Sequence, residues 1–291
     1  MSLSIAVLSY SDEFYTTRRL LETGRTLGHQ IDTLNPFGLT IQADTSGLRV
    51  YEREQIIPPP DAIIPRVGAV LTDWNLLTVE TLIRAGSRSP TSASALGMAA
   101  DKARCATALA QAGVRSVPTY IVREEASMET VLAHMVDQDL VIKLQYGTQG
   151  RTVKAIERDT DPRDVIVQWI EQGHPVLIQP WIRMEQPRDL RVMIIDHQAI
   201  GAIWRVAKAG EFRSNIHQGG SAHQADLSQD AQAVAEHAAH AIGLAYGAVD
   251  LIETNEGFAV LEINGCPGFR SFEETTGFDL ATPWLKAVID G

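Results

Sequence analysis

Cysteine is almost absent: Cys105 and Cys266 are the only two in 291 residues. That excludes a disulfide framework and a metal site of the Cys/His type, and the apolar surroundings of both point to free thiols. Long apolar runs are missing as well, since no segment reaches the roughly 18–20 residues of a membrane-spanning helix. The opening MSLSIAVLSYSDEF has neither a basic region nor a cleavage site, so a cytoplasmic protein with no membrane partner is expected. Positive charge is in deficit, 25 Lys and Arg against 36 Asp and Glu, for a formal net charge of −11. This disfavours general binding to nucleic acid or an anionic surface but leaves room for a local basic patch. No G-x-G-x-x-G follows the first apolar segment, so a dinucleotide lobe of that type is not expected. The length suffices for a sizeable core and for two or three lobes.

What is present concentrates in residues 247–268, GAVDLIETNEGFAVLEINGCPG. Two apolar strand patterns, AVDLIET and FAVLEIN, flank Asn255, Glu256 and Gly257, the composition of a short hairpin loop. With Glu256 at the loop centre, Asp250 lies directly opposite Glu262. Alternation then puts Asn264 on the face of Glu262, and Leu261 and Ile263 on the other, apolar face. Carboxylates opposed at about 5 Å repel unless one is protonated or a cation lies between them. A hard divalent ion such as Mg2+ suits this all-oxygen set. The alternative is an exposed hairpin edge with ordinary acidic residues.

The rest of the chain alternates strands and helices. Residues 3–9 read as a buried strand, 12–27 as a helix ending at Gly28, and HQIDTLNP and DAIIPRVG as further strands of a small parallel sheet. Arg66 and Gly68 fall at a strand's carboxyl end, where open α/β sheets gather ligands; a surface charge is the plainer reading of Arg66. A polar connector over residues 87–94 precedes a helix over 100–112, a strand TYIVRE and a helix over 127–135. DLVIKLQYGTQGR then places Lys143 in an apolar strand, followed by a loop with Gly147 and Gly150. A half-buried ammonium calls for an anion, and Thr148 and Gln149 add donors to a loop whose backbone can approach phosphate. A lysine snorkelling at a strand end is the alternative. A helix over 161–172 and the strand PVLIQPWI follow, then two strands carrying Arg191 and Arg205 with residues 196–198 at their turn. The loop over 209–220 offers Arg213, Asn215, His217, Gly219 and Gly220 to an oxyanion, or else faces solvent. The alanine-rich helix over 230–244 packs behind the hairpin; its His237 and His240 read as surface or packing residues.

In this order the chain resembles the ATP-grasp superfamily and, within it, the RimK-like ligases that add glutamate to the carboxyl end of a ribosomal protein. The resemblance runs through IPRVG, Asp101–Lys102, VIKLQYGTQG, FRSNIHQGG, GAVDLIE, LEINGCPG and TTGFDLA. It implies a mixed α/β fold with an amino-terminal parallel-sheet lobe (1–95), a central lid (96–180) and a carboxy-terminal antiparallel-sheet lobe (181–291). It further implies that Lys102 and Lys143 contact ATP phosphates beneath a loop formed by Gly147, Thr148, Gln149 and Gly150. Gln179, Trp181 and Ile182 would form the nucleotide hinge, Asp189 matches a residue associated with the nucleotide, and Arg213, Ser214 and Asn215 would line its phosphate side. Asp250, Glu262 and Asn264 match magnesium ligands, with Mn2+ as an alternative ion. Arg213, Arg205 and Asn215 are the expected catalytic set, stabilising an acyl phosphate.

The function implied is ATP-dependent joining of a carboxylate to an amine through that acyl phosphate. Glutamate or another acidic amino acid is the expected substrate, and a protein C-terminus, a carrier protein or a small metabolite the carboxylate acceptor. A homo-oligomer is expected, because relatives commonly assemble as dimers or tetramers. Departures from the family pattern fall at Pro180, Tyr146, Thr152, Trp204, Gln218 and residues 269–271. They motivate two alternatives: a biosynthetic ligase joining an amino acid to a small acid, and a nucleotide-binding regulator without turnover.

Overall fold

The computed structural model describes residues 2–67, 72–147, 152–214 and 219–290. The chain opens with β1 (Ser4–Leu8), α1 (Tyr15–Thr26) and β2 (Gln30–Leu34). An antiparallel meander follows, β3 (Leu39–Asp44), β4 (Gly47–Glu52) and β5 (Gln55–Ile57), which the sequence reading passed over. Strand β6 (Ala62–Pro65) and helix α2 (Asp73–Arg84) complete this part. Strands β2, β1 and β6 form a parallel sheet in that order. The continuous apolar run of β1 is what burial on both faces requires, and its last four residues are buried.

The next stretch holds α3 (Ala93–Ala100), α4 (Lys102–Gln111), β7 (Tyr120–Val122), α5 (Glu125–His134), β8 (Leu140–Leu144), β9 (Val153–Ile156), α6 (Arg163–Glu171) and β10 (Val176–Pro180). The helix expected over residues 100–112 is α4, and a second helix, α3, directly precedes it. Asp101 divides the two by capping α4, accepting from the backbone N–H of Ala103 and Arg104. Ser92 likewise caps α3, inside the stretch read as a polar connector. Strands β7, β10, β8 and β9 form an antiparallel sheet in that order.

The last part comprises β11 (Arg188–Ile195), β12 (Gln198–Val206), β13 (Ser221–Ala225), α7 (Gln229–Ala241), β14 (Tyr246–Thr254), β15 (Gly257–Asn264), α8 (Arg270–Thr276) and α9 (Ala281–Asp290). Its sheet runs β13-β12-β11-β14-β15, antiparallel throughout. Asp196 and His197, both at positive φ, make the two-residue turn between β11 and β12. Helix α7 presents Ala231, Ala235, Ala238 and Ala239 to this sheet, small side chains that allow a close approach.

Packing divides the molecule differently from chain order. One core joins the parallel sheet to the five-stranded sheet and to α8 and α9, with Ile5, Val7 and Leu20 packed with Met193, Phe269 and Trp284. A second core puts Ala99, Cys105, Leu109 and Val114 of the α3–α4 region against α7 and β14–β15. A third gathers only residues between Val122 and Ile178. The four-stranded sheet therefore has its own core, while α3 and α4 belong by packing with the five-stranded sheet.

Candidate active site

A cavity of about 250 Å³ separates the four-stranded from the five-stranded sheet. Lys143, Gln179 and Pro180 line it from the first, and Asp189, Arg191, Arg205, Asp250, Glu262 and Asn264 from the second. Lys102, at the start of α4, closes one side. The charged lining residues are Lys102, Lys143, Arg183, Arg188, Arg191, Arg205 and Arg213 against Asp189, Asp250 and Glu262, seven cations to three carboxylates. An acidic chain thus holds a cavity with a formal excess of four positive charges, which suits a polyanion.

The hairpin pairs Asp250 with Glu262 as expected, but for another reason. The turn is Asn255–Glu256 alone, because Thr254 already pairs with Gly257. A bulge between Asp250 and Leu251 restores the expected pairing by adding one residue on β15. Leu261 consequently lines the cavity instead of the apolar face assigned to it, while Ile263 is 2% exposed in the core as expected. Gly247 is required where β14 begins, since a Cβ there would meet Leu244 Cδ2 at 2.5 Å and the backbone oxygen of Asn264 at 2.6 Å.

Asp250 does not face Glu262 as an uncompensated charge. Arg191, its cross-strand partner on β11, donates from Nε to Oδ1 and from Nη2 to Oδ2, both at 2.7 Å. Arg205 Nη2 donates to Oδ2 at 2.9 Å and Asn264 Nδ2 to the same oxygen at 3.0 Å. Arg205 also donates from Nε to Asp189 Oδ1 at 2.6 Å, and Ser214 Oγ donates to Asp189 Oδ2. Burial alone would raise the Asp250 carboxyl, but Arg191 and Arg205 outweigh it and hold the group below the usual range. For Asp189, burial outweighs Arg205 and the charge of Asp250 adds to it, pushing the carboxyl up to about 6.

Arg191 was placed on its strand but given no role from the sequence, although its period-two spacing from Asp189 in DLRVMII marks a charged face on an apolar strand. Arg205, expected beside an acyl phosphate, is 5% exposed and committed to two carboxylates, so its direct effect here is to position Asp189 and Asp250.

Lys102 Nζ donates to the backbone oxygen of Gly147 at 2.8 Å and lies 3.4 Å from Glu262 Oε1. Its neighbour Asp101, 1% exposed, accepts from Gln145 Nε2 at 2.7 Å and Tyr146 OH at 3.0 Å. The segment just after β8 is thereby tied to the start of α4, and Tyr146 contributes a hydroxyl to that tie. Lys143 is 8% exposed and finds no hydrogen bond or ion pair among the described residues. Burial lowers its ammonium from the ordinary 10.5 to about 8.

At the hinge, Gln179 Nε2 donates to Thr119 Oγ1 at 2.7 Å, and the Trp181 N–H is used by the Asp139 carbonyl at 2.7 Å. Trp181 is held between Phe212, 5.6 Å away edge-on, and Arg183, whose Cζ lies 4.2 Å from the ring centre. Ile182 lines the cavity next to them. Arg213 pairs with Glu211 at 3.0 Å and stacks on Phe212 at the cavity wall. Phe269, one of the departures from the family pattern, is a fully buried core residue against Tyr15 and Trp284. Thr148, Gln149, Gly150, Asn215, His217, Gln218 and Gly68 lie outside the described residues.

The donor set fits a divalent cation that shares its shell with phosphates. Asp250 Oδ2 already accepts three hydrogen bonds and Oδ1 one. One Asp250 lone pair, the Glu262 carboxylate and the Asn264 amide oxygen remain, hard oxygen donors too few to enclose an ion without further ligands. Among the described residues no cluster of three His, Cys, Asp or Glu side chains offers a metal site.

The candidate site is thus a cation-rich cavity between the four-stranded antiparallel sheet and the five-stranded sheet. Residues 99–288 match the RimK-like ATP-grasp domain and residues 3–96 the RimK PreATP-grasp domain. The chain belongs to the RimK-like ATP-grasp family and is a carboxylate-amine ligase of that family, whose members use ATP with Mg2+. It is 30% identical over 287 residues, 99% of this chain and 95% of the relative, to a probable alpha-L-glutamate ligase 2 of Pseudoalteromonas atlantica. A probable alpha-L-glutamate ligase of Xanthomonas campestris pv. campestris is 33% identical over 279 residues, 96% of each chain. The fold is shared with the ATP-grasp ligase PsnB complexed with a minimal precursor, at TM-score 0.74, 21% identity and 99% coverage of both chains. It is also shared with the D-cycloserine synthetase DcsG, at TM-score 0.73, 22% identity and 98% coverage of both. The regulator without turnover is not what these comparisons favour.

Proposed function

We propose that the chain joins glutamate, or another acidic amino acid, to a carboxylate acceptor as an amide, with Asp250, Glu262 and Asn264 holding Mg2+ or Mn2+ against the ATP phosphates. The observation that carries this reading is the opposition of Lys102 and Lys143 to the Asp250–Glu262 pair across one cation-rich cavity. The names of the curated relatives support glutamate as the amino acid, and the complex of PsnB with a precursor peptide supports a peptide acceptor.

A carboxylate attacks the γ-phosphorus of ATP, the bond to the β-γ bridging oxygen breaks, and acyl phosphate and ADP result. The amine then attacks the acyl carbon, phosphate leaves, and one proton is released. A divalent ion, when bound, supplies neutralisation of the phosphate oxygens. Lys143 meets those oxygens from the lid and Lys102 from the start of α4, exchanging its contact with Glu262 for phosphate. Arg191 and Arg205 keep Asp250 ionised and fixed in direction. Gln179, Trp181 and Ile182 receive the base. Since the Trp181 N–H is already used, the Ile182 N–H, which finds no partner among the described residues, is the hinge donor assigned to it. Arg213, Ser214 and Asn215 stabilise the acyl phosphate, with Asp189 held by Arg205 and Ser214 behind them. The separate core of the four-stranded sheet allows it to close as a lid that keeps water from the acyl phosphate.

ADP release by the purified protein with Mg2+ and ATP, screened over amino acids paired with acidic peptides and small acids, tests the reading. Release that needs both an amine and a carboxylate is expected, with glutamate among the effective amines. Nucleotide binding without any such dependent release would overturn it.

A further inference from the structure

We propose that Arg66 is a carboxylate-binding residue of this ligase, holding the carboxylate of a substrate that does not become activated; this rests on the ligase reading above. Arg66 directly follows β6 at the carboxyl edge of the parallel sheet, where open α/β sheets gather ligands. Its Nε and Nη1 are both out of contact with water, and neither has a hydrogen-bond acceptor among the described residues. No described carboxylate oxygen lies within 4.0 Å of its nitrogens. The arginines of the nucleotide cavity are unlike it in this respect: Arg191 and Arg205 each lie on buried aspartate.

The contact found for the guanidinium is the face of Trp284, 5.5 Å from Cζ to the ring centre. That contact returns only part of the hydration surrendered on burial. Burial accordingly lowers the pKa of Arg66. A guanidinium held this way is complete only when an anion reaches it.

The position also lies near the end of the strand that carries Glu262 and Asn264. The carbonyl of Pro65, the residue before Arg66, accepts a bond from Cys266 Sγ at 3.4 Å. Cys266 lies two residues beyond Asn264, so the edge of β6 meets the end of β15 that carries Glu262 and Asn264. Phosphate is already provided for by Lys102 and Lys143. A single guanidinium against an indole face matches a planar monoanion better than a polyphosphate. The ligation brings such a group from two sources, the free carboxylate of the amino acid or a second carboxylate on the acceptor.

The test uses full-length protein and Arg66→Met, which keeps length and apolar volume. If Arg66 only awaits an anion, the variant unfolds at the same temperature as wild type or above it, since removing an unpaired buried charge relieves a cost. Titration calorimetry then compares L-glutamate and a peptide ending in glutamate, each with Mg2+ and a non-hydrolysable ATP analogue present. At least a tenfold rise in the dissociation constant is expected for one probe, with analogue binding changed less than twofold. Loss for L-glutamate assigns the site to the amino acid, and loss for the peptide assigns it to the acceptor. Equal affinities in both proteins, binding of neither probe to wild type, or a fall in unfolding temperature with affinities unchanged would each overturn the proposal. Equal KM values in both proteins, with dependent ADP release intact, would remove Arg66 and leave the ligase reading standing. No dependent ADP release from wild type would remove the ligase reading itself.

Discussion

Raising the pH through 8 is expected to weaken nucleotide binding, because it discharges Lys143 before the nucleotide arrives. The ammonium is 8% exposed and, among the described residues, without a partner. Burial brings it from 10.5 to about 8, a penalty of about 3 kcal/mol on the charged form relative to water. This folded value lies below the unfolded one, so below pH 8 the charged lysine costs stability, and that cost is recovered as pH rises from about 8 toward 10.5. Polyphosphate reverses the balance by giving the ammonium its missing counter-charge. Binding therefore takes up about half a proton at pH 8 and about nine-tenths at pH 9, and affinity falls toward tenfold per pH unit above 8. Calorimetry with ADP and Mg2+ in buffers of different ionisation enthalpy counts the protons directly. Lys143→Arg keeps the charge at every pH used and is expected to flatten the profile. Proton uptake near zero at pH 8.5, or the same uptake in Lys143→Met, would refute the assignment of Lys143 to the phosphates.

Glu262→Ala is expected to abolish ADP release while shifting stability by less than about 1 kcal/mol, because its ion pair to Lys102, the one it makes among the described residues, is partly exposed; activity equal to wild type would sink the metal assignment. Asp250→Ala differs in kind, since it strands Arg191 and takes from Arg205 one of its two carboxylates. A loss of about 3–5 kcal/mol, or roughly 5–15 °C in Tm, should accompany the loss of turnover in calorimetry. Gly247→Ala forces a methyl group onto Leu244 and the Asn264 backbone and is expected to cost about 1–3 kcal/mol. Denaturant titration reads that cost, and an unchanged midpoint would contradict the close approach of β14 to the end of β15.

Most of the strands were legible because apolar runs bounded by turn residues carry them, and the Asp250–Glu262 pairing was legible as chemistry. Its mechanism was not. A two-residue turn at Asn255–Glu256 would by itself set Asp250 against Leu261, and only the bulge on β15 brings Glu262 into place. Nothing in LEIN announces that extra residue, because a bulge is fixed by the neighbouring sheet. The start of α4 had a local signal, Asp101 followed by helix-forming residues, and was legible; α3 was not, because its cap Ser92 lies in a serine-rich stretch with Pro90 that reads as a connector. The Asp250 network is the opposite case. Its charges were visible one by one in DLR, WR and VDL, yet their meeting depends on β11 lying between β12 and β14, an order that chain sequence does not state.

That order changes what the paired carboxylates mean. Two opposed acids in isolation require a cation between them, and the hairpin alone argues for a metal on that ground. With Arg191 and Arg205 already on Asp250, repulsion has been settled by the protein, and the free carboxylate sharing is between Glu262 and Lys102 at 3.4 Å. A divalent ion entering with phosphates thus displaces Lys102 from Glu262 more readily than either arginine from Asp250, since the lysine pair is longer and more exposed. Lys102→Met should accordingly strengthen binding of Mn2+ alone, read by proton relaxation of bound water, while weakening binding of the metal–nucleotide pair. Weaker Mn2+ binding in that variant would show that Lys102 and the ion do not compete for Glu262.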